Sequence, residues 1–421
     1  MGASQLWKKM LIVFILALAL GLRLFYVLGE QYEPVEHDQK NYTTMAVQML
    51  EKGIYGYNEA KSNTLVTPGF PVFLAAILAV FGYTDIERTF MVVRVLQVFI
   101  SLGAIWYIYK IGLRLFNRTT GLIAAFFASI YGTFIVVNSL ILTEVIFLTS
   151  FMALIYYQVK IVQENRTRDH LLAGLLLALA VLIRPNTLVV APVPYIFLWF
   201  QHKKPYFKEI SFGVLAFALG MLPWWIRNAI TFHEIIFISK GGAGNPLLGG
   251  TDPYYRGTLD WSKVDFSNQQ GEAIKRIKEG LQTDPALWIR WFTVGKMKEM
   301  FLNKLYIGDY GSSVPAWYAP WIPRFHKFLV YAGMGSSLIA FFIHKSYRYL
   351  ITVFLILLGT QLMFIPEARY TIGMMPFLML IISALLVQAV SYAAGMVRGR
   401  NKTVSEVRKD VRPETDSSKA V

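Results

Sequence analysis

"KKMLIVFILALALGLRLFYVL", Lys8 to Leu28, decides the fold. Two lysines lead into an apolar run broken only by Arg23. Runs near the length that crosses a bilayer, about 17–25 residues, recur along the whole chain. They fall at roughly Met10–Leu28, Phe90–Tyr109, Thr120–Asn138, Leu140–Tyr157, His170–Ile183, Thr187–Phe200, Ile210–Ile226, Phe328–Ile343, Tyr349–Ile365 and Thr371–Val390. The reading is an all-α polytopic membrane protein with about ten transmembrane helices. The small residues of "ALALG" could suit a signal-peptide cleavage site, but the run continues to Leu28 and further spans follow, so an uncleaved first span is expected.

Composition agrees. Of 421 residues, 55% are hydrophobic and 16% charged, with a mean hydropathy of +0.45. A soluble domain carries about 25% charged residues. The net charge of +15 would suggest nucleic acid in a soluble protein. Here the basic residues sit in short runs between apolar stretches, which is the positive-inside pattern and argues against a nucleic-acid partner. The chain has no cysteine, which excludes disulfides, thiol catalysis and thiolate metal sites.

The basic runs set the orientation. Lys8 and Lys9, Lys110 to Arg118, Lys160 to Arg168, Lys203 to Lys208, Lys345 to Arg348 and the tail from Arg398 all fall on one side of a ten-span chain. That side is cytoplasmic, so both termini are cytoplasmic and the protein sits in the plasma membrane. We divide the chain into a membrane domain, residues 1–394, and a polar, disordered cytoplasmic tail, residues 395–421. Two exterior loops remain, residues 29–89 and 227–326, and any site outside the bilayer belongs there. In the first, Tyr42, Met45, Ala46, Met49 and Leu50 form one helical apolar stripe, expected to lie on the membrane surface. It stops at Lys52 and Gly53. "TPGFPVFLAAILAVFG", Thr67 to Gly82, is expected as an interfacial or re-entrant segment. Trp224, Trp225, Trp288, Trp291, Trp317 and Trp321 read as an exterior aromatic belt.

"EPVEHDQKNY", Glu33 to Tyr42, is the polar cluster of the first loop. Asp38 could take a proton from an acceptor hydroxyl, or serve as a solvated acid or helix cap. Glu33, Glu36 and His37 have weaker claims. The Glu36–His37–Asp38 triplet also has ligand chemistry for a divalent cation, which would need partners from elsewhere. Glu144 lies in an apolar hairpin near its outer end, where an acid is a functional candidate or an internal ion-pair partner. Arg184, Arg227 and Arg369 sit at exterior span ends, against the orientation rule. Guanidinium suits bidentate phosphate contact, so the three could hold an anionic lipid headgroup, or pair with Glu144 and Glu367. Lys240, before "GGAGN", is a further anion candidate. Tyr370 adjoins Arg369 as a supporting residue.

"HDQKNYTTMAVQMLEKGIY", "TPGFPVFLA", "LRLFNRTTGLIAAFFAS", "LTEVIF", "LIRPN" and "PEARYTIGMMPFL" follow one another in order. This pattern resembles the GT-C membrane glycosyltransferases, nearest to the dolichyl-phosphate-mannose protein mannosyltransferase-like family and the lipid A aminoarabinose transferases. The resemblance implies a polyprenyl-phosphate-sugar donor, an exterior site and a cell-envelope acceptor such as a protein, a lipid-linked glycan or a wall polymer. It implies Asp38 as general base, Tyr42 as the tyrosine four residues on, and Arg184 and Arg369 as donor-phosphate residues. Arg227 is assigned by topology alone. Gln39 stands where the family often has a second acid, and Val66-Thr67-Pro68-Gly69 stands where the aminoarabinose transferases carry Glu-Lys before two prolines. Aminoarabinose transfer is therefore not expected. The competing readings are a transporter or lipid flippase, and an O-antigen ligase or polymerase. Transporters usually show internal repeats, and none is evident here.

Overall fold

A computed structural model describes residues 3–265, 268–303, 305, 315 and 317–410, with side chains described between Met10 and Gly395. Every regular element in it is helical. In lipid each backbone polar group needs a partner within its own segment, and helices supply one. The elements are α1 (Ala3–Gly29), α2 (His37–Lys52), α3 (Gly69–Phe81), α4 (Ile86–Leu115), α5 (Arg118–Ile130), α6 (Gly132–Val136), α7 (Glu144–Glu164), α8 (Thr167–Ile183), α9 (Val193–His202) and α10 (Phe207–Phe232). Then come α11 (Gly244–Gly249), α12 (Gln269–Thr283), α13 (Pro285–Arg290), α14 (Lys296–Lys298), α15 (Trp321–Ile343), α16 (Lys345–Gln361) and α17 (Met375–Asp410).

Each of the ten expected spans corresponds to a helix or a broken helix, but they are not equally long. Among the described residues six helices are long and apolar enough to cross a membrane: α1, α4, α7, α10, α15 and α17. The α5–α6 pair, bent by 65°, makes a seventh if counted as one span. α8 and α16 have 17 residues each, and the run from Pro185 to His202 is broken between a 3-10 turn and α9. The chain is thus an all-α, multi-pass membrane protein. α17 continues as helix to Asp410, into the stretch expected to be a disordered tail; residues 411–421 lie outside the described residues.

Arg23, the charge inside the first span, explains the bend. Its guanidinium is buried and donates to the carbonyls of Ala19, Ala128 and Ser129 at 3.2, 3.3 and 3.1 Å. The last two carbonyls lie at the end of α5, where the backbone turns away at Tyr131 and its helical partners are lost. A cation there also suits the negative end of the helix dipole.

α4 packs on α5 and α7, α7 on α8, α8 on α10, and α15 on α17. Above this bundle α2 packs on α3. Most of the apolar stripe of α2 is covered by protein: Met45 and Ala46 are fully buried, and Tyr42 packs edge-on against Phe70 of α3, while Leu50 at its end stays exposed. Amphipathic spacing requires a cover for one face and does not say what supplies it. The six tryptophans also divide. Trp317 and Trp321 are exposed, while Trp224, Trp288 and Trp291 are buried. Trp224 and Trp225 donate to the carbonyls of Ile238 and Phe237, both at 2.8 Å, and Trp291 donates to that of Gly250 at 2.9 Å. These rings pin the second loop in place.

Candidate active site

α2 begins at His37, whose backbone takes a left-handed turn (φ 49°) after the extended Glu36. That turn puts Asp38 in the first turn of the helix, where the dipole favours a carboxylate. The helix ends at Gly53 in the left-handed conformation, with its N–H on the Gln48 carbonyl.

Asp38 is engaged at both oxygens. Oδ1 accepts from the Tyr57 hydroxyl at 2.8 Å, and Oδ2 accepts from Arg369 Nη1 at 2.6 Å. Arg369 comes from the 3-10 turn Ala368–Thr371 between α16 and α17. Burial acts to raise the Asp38 carboxyl, but the charge and hydrogen bond of Arg369 and the hydroxyl of Tyr57 outweigh it and hold the group below its ordinary value. Burial likewise acts to lower Arg369, and Tyr370, Glu144 and Asp38 override it and hold the guanidinium above its ordinary value. The pair is ionised at neutral pH.

Pro185 shapes the next group. The residue before a proline avoids helical geometry, so α8 ends and Arg184 takes φ −140°, ψ 105°. Its guanidinium lies 2.8 Å from Glu144 Oε1, donates to Thr143 Oγ1 and sits over the Phe147 ring. Glu144, at the start of α7, is 1% exposed, so the sequence candidate is an ion-pair partner. Gly69 allows this junction: a Cβ there would lie 2.7 Å from the Leu182 carbonyl at the end of α8.

Two cavities meet at Asp38 and Arg369, which line both. The narrow one, about 270 Å³, is also lined by Tyr42, Thr143, Arg184, Asn186, Gln361 and Tyr370. Gly242 closes its far side, so near the first loop that a Cβ would lie 2.1 Å from the Leu65 carbonyl. The wide one, about 780 Å³, is lined by Glu30, Tyr32, Glu33, Glu36, His37 and Arg94.

The other candidates fall elsewhere. Arg227 lines neither cavity. It donates to the carbonyls of Tyr55 and Asn63, both at 3.3 Å, and sits over the Tyr55 ring, so it clamps the first loop. Lys240 is exposed, pairs with Glu234 at 2.7 Å, and also lies off both cavities. Gln39, where the family often has an acid, accepts from the Ile141 N–H at 2.8 Å and holds the connection into α7. The residues do not fit a divalent cation. Asp38 gives its oxygens to Tyr57 and Arg369, and no three His, Asp or Glu side chains converge among the described residues. Sequence reading missed Tyr57 and Arg94. Nothing marks Tyr57, which reaches Asp38 by folding of the loop. Arg94 had a signal, a cation inside the apolar α4.

The family model described as dolichyl-phosphate-mannose-protein mannosyltransferase matches residues 66–226. Among curated proteins none matches. The archaeal oligosaccharyltransferase AglB from Archaeoglobus fulgidus, solved with an inhibitory peptide and a dolichol-phosphate, is 14% identical over 99% of this chain and 53% of its own, with a TM-score of 0.57. The same organism's oligosaccharyltransferase tethered to an acceptor peptide is 12% identical over 94% of this chain and 51% of its own, with a TM-score of 0.56. ArnT from Cupriavidus metallidurans, bound to undecaprenyl phosphate, is 12% identical over 89% of this chain and 76% of its own, with a TM-score of 0.47. The chain thus spans about half the length of the oligosaccharyltransferases it matches. The chain has the fold of these oligosaccharyltransferases, the GT-C fold, and residues 66–226 carry the match to the mannosyltransferase model.

Proposed function

We propose that this protein moves a sugar from a polyprenyl-phosphate-linked donor to a hydroxyl of a cell-envelope acceptor, on the exterior face of the plasma membrane. The observation that carries the reading is the Asp38–Arg369 pair standing as the wall between two cavities. A base and a phosphate-binding cation in one wall let acceptor and donor meet across it.

In this reading the narrow cavity takes the donor phosphate, with Arg184 and Arg369 as its cations. Glu144 and Thr143 fix the Arg184 fork and so act as positioning residues. The acceptor enters from the wide cavity and offers its hydroxyl to Asp38. The acceptor oxygen bonds to the anomeric carbon as the bond from that carbon to the phosphate oxygen breaks. The proton passes to Asp38, and the lipid phosphate leaves with the electron pair, its charge held by the two arginines. A single displacement of this kind inverts the anomeric centre.

The pair explains how a carboxylate of depressed pKa serves as base. While Arg369 bonds Asp38, the carboxylate is a weak base. As the phosphate gains charge it competes for Arg369, and the hold on Asp38 loosens as the acceptor proton becomes acidic. Tyr57 keeps the carboxylate oriented throughout. Arg227 and Lys240 have no place in this chemistry.

The test is purified Asp38→Asn beside wild type in lipid nanodiscs, assayed for sugar transfer from polyprenyl-phosphate sugars into an envelope fraction. Transfer at the wild-type rate by a folded variant would sink the assignment. Orientation is read by placing one cysteine at position 38 of this cysteine-free chain. Labelling from the cytoplasmic side alone would refute the exterior site.

A further inference from the structure

Arg94 is 2% exposed, yet it lines the wide cavity. Its Nε donates to the Ser139 carbonyl at 2.9 Å, and its guanidinium lies 3.4 Å from the centre of the Tyr32 ring. The Tyr32 hydroxyl is itself fixed on the Val27 carbonyl at 2.9 Å. The two terminal nitrogens of Arg94 donate to no described residue, and Arg94 has no ion pair among the described residues. A buried guanidinium anchored at one edge, with its fork left free, is built to receive something.

Glu30 lines the same cavity. Its Oε2 is shut off from water and has no hydrogen-bond partner. A carboxylate oxygen in that state carries its full desolvation cost, which a donor delivered into the cavity relieves after a small rotation. The cavity therefore offers free donors on Arg94 and an acceptor in the Glu30 carboxylate, whose other oxygen, Oε1, is not shut off.

The charge balance narrows the ligand. Asp38 and Arg369 neutralise each other. Glu30, Glu33 and Glu36 remain against Arg94, with His37 at the rim. That acidic surplus opposes a phosphate or carboxylate, in contrast to the arginine-lined narrow cavity. An uncharged group must then satisfy both Arg94 and Glu30. A hydroxyl both donates and accepts, so neighbouring hydroxyls on one ring serve both side chains. Tyr26 and Tyr32 add aromatic surface to the same wall.

We propose that Arg94 and Glu30 act as a hydroxyl-reading couple that selects an uncharged saccharide as the acceptor. This rests on the proposed function, where the wide cavity belongs to the acceptor.

The experiment uses the full chain in nanodiscs prepared without sugar detergents. It is exposed to immobilised neutral glycans, to phosphate- or uronate-bearing glycans and to Ser/Thr peptides. Wild type is expected to be captured on neutral glycans. Glu30→Gln and Arg94→Gln are each expected to weaken capture at least tenfold. Retention of polyprenyl phosphate is measured on every sample and reports a folded donor side. Capture on peptides or acidic glycans instead, capture on none of the three, or neutral-glycan capture unchanged in both variants, overturns the inference while leaving the proposed function standing. Failure of wild type to retain polyprenyl phosphate overturns the proposed function itself.

Discussion

Arg369 and Asp38 are 331 residues apart in the chain, and their side chains meet at 2.6 Å. This contact ties the first loop to the segment before the last helix, and it gives the pH profile of transfer a definite shape. Asp38 must be ionised to accept a proton, and its pKa is depressed, so the acid limb of wild-type activity lies below the usual carboxylate range. Removing the cation leaves the burial that acts to raise the group. Arg369→Gln is therefore expected to shift the acid limb to higher pH as well as slow transfer. Asp38→Asn is expected to lower transfer about 100- to 10,000-fold. Tyr57→Phe removes one hydrogen bond to the carboxylate and is expected to cost about tenfold, with a smaller upward shift of the limb. Rate measured against pH for the four proteins checks all three. An acid limb that stays put in Arg369→Gln would separate Asp38 from the chemistry.

Glu144 and Arg184 make the second prediction. Breaking a buried pair by removing one partner leaves an uncompensated charge and costs about 3–5 kcal/mol. Arg184 opens on the narrow cavity, so Glu144→Gln is expected at the low end, near 3 kcal/mol, with a raised KM for the donor. The double variant Glu144→Gln/Arg184→Gln is expected to recover part of the stability and none of the activity. Thermal unfolding and donor kinetics on these two variants and on Arg184→Gln decide it. Additive losses would mean that the two side chains act independently.

Lys240 and Arg227 are separable by the same measurements. The exposed Lys240–Glu234 pair is worth about 0–1 kcal/mol, so Lys240→Gln should be near neutral in stability and in donor KM. Arg227→Gln releases two loop carbonyls and three cation–π contacts and should lower the melting temperature without a selective effect on the donor. A donor KM raised by Lys240→Gln alone would restore lysine to the phosphate site.

Lys296 predicts a pH-dependent stability. It is buried outside the six apolar spans, donates to the Leu362 carbonyl at 2.9 Å, and sits 3.7 Å from the Phe292 ring centre. Burial pushes its amine down to about 7, against an unfolded value of about 10.4. Between those values the unfolded chain binds more protons, so stability rises with pH, by up to about 1.4 kcal/mol per unit. Below pH 7 the penalty is complete and the slope vanishes. Melting temperatures of wild type and Lys296→Met from pH 6 to pH 9.5 test this. The slope should be lost in the variant.

The sequence carried the class of fold, and it named Asp38, Arg184 and Arg369, which the structure brings to the two adjoining cavities. Hydropathy located ten apolar runs, each of which is a helix or a broken helix, and "LIRPN" forces Arg184 out of its helix by local chemistry alone. What stayed hidden depends on distance along the chain. The Asp38–Arg369 contact and the Tyr57 hydroxyl are products of loop folding, and no local pattern encodes them. Arg227 and Arg184 look alike in sequence, as exterior cations at span ends. One faces a cavity, and the other faces loop carbonyls that need a donor just as much. The stripe of α2 announced a buried face and left its cover, α3 or lipid, undecided.

Arg23 has a consequence for biogenesis. Its partners at Ala128 and Ser129 are translated more than a hundred residues after it. Until they arrive, the guanidinium has only the Ala19 carbonyl of its own helix, and a cation within an apolar span is costly. The fifth helix thus closes a latch that the first has set.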